Sequence, residues 1–223
     1  MPKESIRNKL ENILIKKNIG KTHLGENYTI DFLPVNFPLD IRSQYSEYKS
    51  YILELGSGWG EFTREIAKQN PNSLIIALEK KKKRVVRCVK WQKKENIENI
   101  RWMIVDITWF FKEIFNKNSF DKIIINFPDP WPKKRHHKKR FMTDDFIEIL
   151  FTISKKDTLL EFATDFWPYM QDALYSLELS GKWKNIHGKG ILLNDIPDRP
   201  KSYFEKLKLE EGENTYFLQM KRV

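Results

Sequence analysis

The sequence predicts an α/β fold, a mostly parallel sheet with helices on both faces. Short apolar segments alternate with helix-like segments from residue 51 onward, a glycine-rich loop follows the first apolar segment, and acids follow the later ones. Alternation of this kind is typical of parallel sheets, because parallel strands are joined by helical crossovers. At 223 residues the chain fits one such domain better than two.

Strands are predicted where short apolar runs are bounded by turn residues. The predicted strands are Tyr51–Leu55, Ser73–Leu78, Ile100–Val105, Phe120–Ile125, Thr158–Ala163 and Tyr216–Met220. The predicted helices between them span residues 61–68, 80–94, 106–115, 143–153 and 168–179. Asn70-Pro71 marks the end of the first of these helices.

Residues 1–45 are predicted to form an N-terminal extension to a single domain of residues 46–223. Apolar residues at roughly helical spacing predict a short helix within residues 1–19. The segment from there to about Lys49 contains two prolines and several aromatic residues. It either packs on the core or becomes ordered only on binding, and the sequence does not decide between these.

The charge is concentrated in two segments, and this favours a nucleic-acid partner. Nine of the 40 Lys and Arg residues lie in residues 80–94 and six in residues 133–140, which we call the cationic arm, and neither segment contains an acid. The remaining 25 cations face 30 acids. Concentrated positive charge is the electrostatic footprint of a protein that binds nucleic acid or a membrane surface, and no lipid-facing amphipathic helix is evident.

Several classes are disfavoured by composition. No apolar run reaches the roughly 18 residues of a membrane span, and no secretory signal is evident, so we expect a cytoplasmic protein with no membrane partner. The one cysteine, Cys88, excludes an internal disulfide and a cysteine metal cluster. No His, Cys or Asp group has metal-ligand spacing, so no metal is expected, and no obligate protein partner is evident.

The glycine loop Gly56-Ser-Gly58-Trp-Gly60 lies between a predicted strand and a predicted helix. Glycines allow positive φ and a close approach of the backbone to a ligand. Glu79 follows Gly60 by 19 residues, where an acid can bind ribose hydroxyls. A nucleotide-containing cofactor is therefore predicted at this loop.

Two cofactor classes fit such a loop. A dinucleotide site favours G-x-G-x-x-G, but here the third glycine comes one residue early. Glu54, just before the loop, would repel a pyrophosphate and suits a cationic ligand such as the ammonium group of S-adenosylmethionine. Asp106, at the end of the third predicted strand, fits the adenine side of the same pocket.

The fourth predicted strand leads into Asn126-Phe-Pro-Asp-Pro-Trp-Pro132 and then the cationic arm. Prolines on both sides of Asp129 fix φ and remove backbone donors, so this turn is stiff. A stiff acid beside a cationic arm suits the presentation of a carboxylate to a group on a polyanion. A charged surface loop after an edge strand is the simpler alternative.

With these residues the chain resembles the bacterial tRNA (guanine-N7-)-methyltransferases over about residues 51–222. The run from Phe127 to His136 (FPDPWPKKRH) carries most of the specificity, and Thr164-Asp165 and the Arg199–Glu205 motif match as well. The resemblance implies a Rossmann-like class I methyltransferase fold with a seven-stranded sheet. It also implies that S-adenosylmethionine is used to methylate N7 of a guanine in the variable loop of tRNA.

The same resemblance implies roles for individual residues. Asp129 is the expected catalytic residue. The residues expected to bind the cofactor are Glu54, Gly56, Gly58, Gly60, Glu79, Asp106 and Asp129. The residues expected to bind the substrate are Lys133, Lys134, Arg135, Asp165, Ser202, Tyr203, Phe204 and Glu205. Ser202 replaces the usual Thr of the family and Tyr203 replaces a common Lys.

Three other functions stay open from the sequence. A methyltransferase acting on an exocyclic amine usually has adjacent prolines after the fourth strand, whereas Asp129 separates them here. A catalytically inactive RNA-binding module is disfavoured by the intact acids. A nicotinamide dehydrogenase is disfavoured by the glycine spacing.

Overall fold

The computed structural model describes residues 24–25, 27–31, 37–107 and 111–223. The helix predicted within residues 1–19 lies outside the described residues. The strands are β1 (Ser50–Leu55), β2 (Ser73–Glu79), β3 (Ile100–Ile104), β4 (Phe120–Asn126), β5 (Ser154–Thr164), β6 (Trp183–Asn185) and β7 (Tyr216–Arg222). The helices are α1 (Ile41–Gln44), α2 (Glu61–Gln69), α3 (Lys82–Lys94), α4 (Phe111–Ile114), α5 (Asp144–Ile153), α6 (Trp167–Leu179) and α7 (Tyr203–Glu210), with a 3-10 helix at Lys134–Lys139.

The seven strands form one sheet in the order β3-β2-β1-β4-β5-β7-β6. Strands β1 to β5 are parallel, and β7 runs antiparallel to both of its neighbours. The predicted α/β class is therefore confirmed. The strand order reverses between β1 and β4, and ligands of such sheets bind at the carboxyl ends of the strands at this point.

The sheet is buried on both faces, which explains its nearly continuous apolar strands. Successive side chains of a strand point to opposite faces. Leu53 and Leu55 of β1 accordingly belong to one buried cluster, and Ile52 belongs to a second cluster that includes Phe62 and Ile66 of α2. The same alternation directs Glu54 toward α2.

The described residues before β1 pack against this core. Thr29 forms an isolated bridge with Trp102, and Leu39 forms one with Phe115. Ile41 of α1 is fully buried in the larger cluster. For these residues the structure favours packing on the core, while the division of the chain at residue 45 stays a prediction.

Four elements were not predicted. They are α1, the 3-10 helix within the cationic arm, the short strand β6 and helix α7. Strand β5 also begins four residues earlier than predicted, at Ser154. Helix α7 matters most for function, because it includes three residues that the family resemblance assigns to the substrate.

Candidate active site

A cavity of about 530 Å³ opens at the carboxyl ends of β1, β2, β3 and β4, around the point where the strand order reverses. Gly56, Glu79, Asp106 and Asp129 all line it. These four residues follow four different strands, so the sheet alone brings them together. Glu79, Asp106 and Asp129, at or just after the ends of β2, β3 and β4, thus share one crevice.

Glycine is required in this loop for more than one structural reason. All three have positive φ: +82° at Gly56, +61° at Gly58 and +75° at Gly60. A Cβ on Gly56 would meet nothing within 4 Å, so this backbone can be approached closely from the cavity. A Cβ on Gly60 would lie 2.6 Å from the ring of Trp102 and 2.9 Å from Cys88 Sγ. Gly60 is thus required by packing beneath the loop.

Cys88 lies directly under this loop. Its thiol is buried within 3.9 Å of the Gly58 carbonyl oxygen, and burial raises the pKa of Cys88 to about 12. A thiol with such a pKa stays protonated at neutral pH and is a poor nucleophile. Cys88 therefore contributes packing and not chemistry.

Glu54 is buried beneath the cavity and does not line it. The hydroxyl of Thr63 in α2 donates a hydrogen bond of 2.6 Å to the Glu54 carboxylate. Burial raises the pKa of Glu54 to about 7, although the Thr63 hydrogen bond and the charge of Arg199 act to lower it. The role of Glu54 with a cationic cofactor group stays a prediction.

Glu79 is held at the cavity by the segment that starts α3. One carboxylate oxygen accepts a hydrogen bond of 2.7 Å from the Lys81 backbone N–H, and the other lies 3.3 Å from Arg84 Nη1. A carboxylate offers about four lone-pair sites, so acceptor capacity remains for ligand hydroxyls. The ribose contact of Glu79 stays a prediction.

The turn that carries Asp129 is bracketed by two residues in the left-handed region, Phe127 at φ 46° and Trp131 at φ 43°. Non-glycine residues rarely adopt this region, and such strain tends to occur at functional sites. The backbone N–H of Phe127 donates to the Ala163 carbonyl at 2.8 Å, which ties the turn to β5. Asp129 is exposed at the cavity mouth.

Arg140 fixes the other end of the turn and is a functional residue that the sequence reading missed. It is 6% exposed, donates to the Pro130 carbonyl at 2.9 Å and pairs with Asp172 of α6. Its guanidinium lies 4.9 Å from the ring centre of Tyr169. Arg140 is therefore an anchor of the turn, and its charge is not presented to solvent.

Lys133 and Arg135 of the arm differ from Arg140. Lys133 and Arg135 are exposed, and Lys134 is the first residue of the 3-10 helix. The rings of Trp131 and His136 meet edge to face, with centres 5.6 Å apart. The arm thus begins with solvent-facing charge beside an aromatic pair at the cavity.

The structure divides the predicted C-terminal substrate residues into two groups. Tyr203 and Phe204 are exposed by 63% and 40%. Ser202 and Glu205 instead form the capping box of α7, and Glu205 is only 1% exposed. Asp165 is half-buried just after β5 and does not line the cavity.

Comparison with known proteins agrees with this geometry. Residues 48–218 match the sequence profile of the Methyltransf_4 methyltransferase family. A tRNA (guanine-N(7)-)-methyltransferase of Leptospira interrogans is 38% identical over 77% of this chain and 78% of its own length. One from Thermotoga maritima is 31% identical over 84% of this chain and 58% of its own.

The chain belongs to the tRNA (guanine-N(7)-)-methyltransferase family. Among solved structures, the 16S rRNA methyltransferase KamB is similar with a TM-score of 0.61 at 14% identity, covering 81% of this chain and 91% of its own. At this identity the likeness shows the methyltransferase fold alone. The resemblance to this family and the class I methyltransferase fold, both predicted from the sequence, are confirmed.

The cofactor of this methyltransferase is S-adenosylmethionine, and the cavity residues fit it. Gly56 provides open backbone, Glu79 provides an acceptor for hydroxyls, and Asp106 lines the cavity after the neighbouring strand β3. Lys80 and Arg84 also line the cavity, and its three carboxylates suit a ligand with a sulfonium and an ammonium group. Among the described residues, no group of His, Cys, Asp or Glu side chains could hold a metal ion. No helix formed by these residues is long and apolar enough to cross a membrane.

Proposed function

We propose that this protein transfers a methyl group from S-adenosylmethionine to N7 of a guanine in the variable loop of tRNA. The observation that carries the proposal is the position of Asp129. It is exposed on a stiff turn at the mouth of the cavity that Glu79 and Asp106 line, and the cationic arm follows directly. The activity of the curated relatives supports the same reaction.

The chemistry needs little from the protein beyond positioning. Guanine N7 has a free lone pair, so no residue must remove a proton from it. S-adenosylmethionine supplies a methyl group activated by a positive sulfur. Orientation of the reacting atoms is therefore the main contribution, and in well-oriented systems it is worth up to about 7–11 kcal/mol.

Asp129 is the residue that orients the base. Its carboxylate accepts hydrogen bonds, and guanine offers N1–H and an exocyclic amino group together, which adenine does not. The same negative charge stabilises the positive ring that forms as N7 becomes methylated. Trp131, paired with His136 at the arm, provides an aromatic surface for a base released from its stack.

The substrate residues have different functions. Lys133 and Arg135 are exposed and bind phosphates, and Lys134 begins the same helix. Tyr203 and Phe204 present aromatic rings to bases. Asp165 contacts the substrate from the end of β5.

Ser202 and Glu205 act through helix α7, whose first turn they cap. The Ser hydroxyl performs this capping as a Thr would. The partner of the enzyme is tRNA, and we place the reaction in the cytoplasm, where tRNA is found.

Incubation of the protein with unmodified tRNA and methyl-labelled S-adenosylmethionine tests the proposal. Digestion to nucleosides should place the label in 7-methylguanosine. Label in an N-methylated exocyclic amine would instead identify the alternative methyltransferase class. Binding of tRNA without any transferred label would identify an RNA-binding module.

A further inference from the structure

A single buried arginine, Arg199, joins three elements around the active site. Its side chain is 4% exposed. The guanidinium donates to Glu161 of β5 at 2.7 Å, to Glu205 of α7 at 2.7 Å and to Asn126 of β4 at a shorter separation. An arginine has five N–H donors in a fixed planar fork, and here the fork spans three elements that are distant in sequence.

The surroundings of Arg199 hold it rigidly. The guanidinium lies 4.7 Å from the ring centre of Phe62 and 4.9 Å from that of Phe217. Glu161, 1% exposed, also lies 3.1 Å from Lys122. Burial acts to raise the pKa of Glu161, but Lys122 and Arg199 outweigh it and hold that pKa below its usual range. Glu161 and Arg199 therefore form a buried ion pair. Removal of either partner would leave an uncompensated buried charge, which is strongly destabilising.

Two of the three acceptors lie where the substrate elements begin. Asn126 is the last residue of β4, lines the cavity and precedes the turn of Asp129. Glu205 lies in the first turn of α7, next to the exposed Tyr203 and Phe204. The ring of Phe204 in turn contacts Phe127, with centres 5.4 Å apart. Arg199 therefore lies beneath the contact between the turn that carries Asp129 and helix α7.

We propose that Arg199 is a positioning residue that fixes helix α7 relative to the turn of Asp129. It does so by holding Asn126 and Glu205 on one guanidinium. The inference rests on the proposed function, because it requires a base held between Asp129 and α7. A displacement of about 1 Å between reacting groups costs on the order of a hundredfold in rate.

Arg199→Lys tests this, because lysine keeps the charge but lacks the planar fork. We expect kcat for tRNA methylation to fall about ten- to a hundredfold, with little change in the dissociation constants of S-adenosylmethionine and tRNA. Arg222→Lys is the matched control. Arg222 also stacks on an aromatic ring, Phe151 at 4.0 Å, and donates to Asn118 at 2.9 Å, but it lies at the amino ends of β4 and β5, the opposite end of these strands from the cavity.

Two further outcomes decide the inference. If Arg199→Lys and Arg222→Lys lower the melting temperature equally and neither changes kcat, Arg199 is only structural. Glu205→Gln removes the charge that Arg199 binds on helix α7. This variant also tests the inference if Arg199→Lys fails to fold. The kcat loss of the double variant should be close to that of one single variant. Fully additive losses would contradict a shared function.

A wild-type enzyme that produces no 7-methylguanosine would contradict the proposed function itself. A wild-type enzyme that produces it, while Arg199→Lys retains normal kcat, would contradict only the role of Arg199. Nucleoside analysis of the wild type therefore comes first.

Discussion

Helix α3 and the cationic arm carry similar charge but are held in different ways. In α3 the guanidiniums of Arg84 and Arg87 lie 5.3 and 5.1 Å from the ring centre of Trp59, while Lys82 and Lys83 face solvent. In the arm, Arg140 is buried against α6. Arg84 in α3 and Arg140 in the arm thus each hold a neighbouring group in place, a task that suits a planar guanidinium because it can stack and form several hydrogen bonds at once.

The two segments differ in what they hold. Arg84 of α3 pairs with Glu79 at the cofactor cavity. Arg140 of the arm clamps the turn that carries Asp129. Positive charge at the two places is therefore expected to have different effects: α3 supports cofactor and RNA affinity, whereas the arm also controls the rate of methyl transfer.

The largest effect is expected at the turn beside the arm. Asp129→Asn should lower the single-turnover rate of methyl transfer at least a hundredfold, because the amide replaces one acceptor by a donor and removes the charge. Binding of tRNA should stay nearly normal, since phosphate contacts position the RNA without reading its bases. Rapid-quench assays and filter binding measure the two quantities. The control is Asp145→Asn, an exposed acid of α5, and near-normal turnover in Asp129→Asn would remove its catalytic role.

Next in size is the acid at the end of β2. Glu79→Ala should weaken S-adenosylmethionine binding by roughly 1.5–3 kcal/mol, the value of a hydrogen bond to a charged group. Isothermal titration calorimetry measures this, with Glu98→Ala, an exposed acid after α3, as the control. Unchanged affinity would mean that the ribose hydroxyls lie elsewhere.

A smaller loss is expected from the anchor of the arm. Arg140→Lys should lower kcat about tenfold through misplacement of the turn, while the salt dependence of tRNA binding stays the same. Arg135→Lys is the control, since Arg135 is exposed on the same arm. Should Arg140→Lys retain normal kcat, the clamp is not the role of Arg140.

The smallest effect separates the two segments most directly. Lys133→Ala in the arm and Lys82→Ala in α3 each remove one exposed charge. Each should reduce the slope of log affinity against log salt by about 0.7–0.9 if its lysine meets a phosphate. Titrations at several salt concentrations measure the slopes. An unchanged slope in either variant would place that segment outside the RNA contact.

Much of the fold could be predicted because local signals agreed with the final structure. The apolar runs of β1 to β5 are buried on both faces, so their composition alone marks them as parallel-sheet strands. Strand β6 has three residues, too few to show a pattern. Helix α7 could have been predicted from the spacing of Ser202 and Glu205, which is typical of a capping box. The family resemblance instead assigned both residues to the substrate.

The site could be predicted in part. Glu79, Asp106 and Asp129 were found from their places after strands, because topology alone converges them. Arg140 and Arg199 could not be found in this way. A cation in sequence looks the same whether it faces water or a buried carbonyl, and only the packing of α6 and α7 decides which.

The packing of Cys88 beneath the glycine loop gives the chain a built-in reporter. It is the one cysteine among 223 residues, and its thiol is covered by the loop that Gly60 closes. A thiol reagent added to the wild-type enzyme can therefore label one position, and only when the loop opens. The labelling rate reads the frequency of that opening without any engineered probe. Its slowing by S-adenosylmethionine would report occupancy of the cavity independently of methyl transfer.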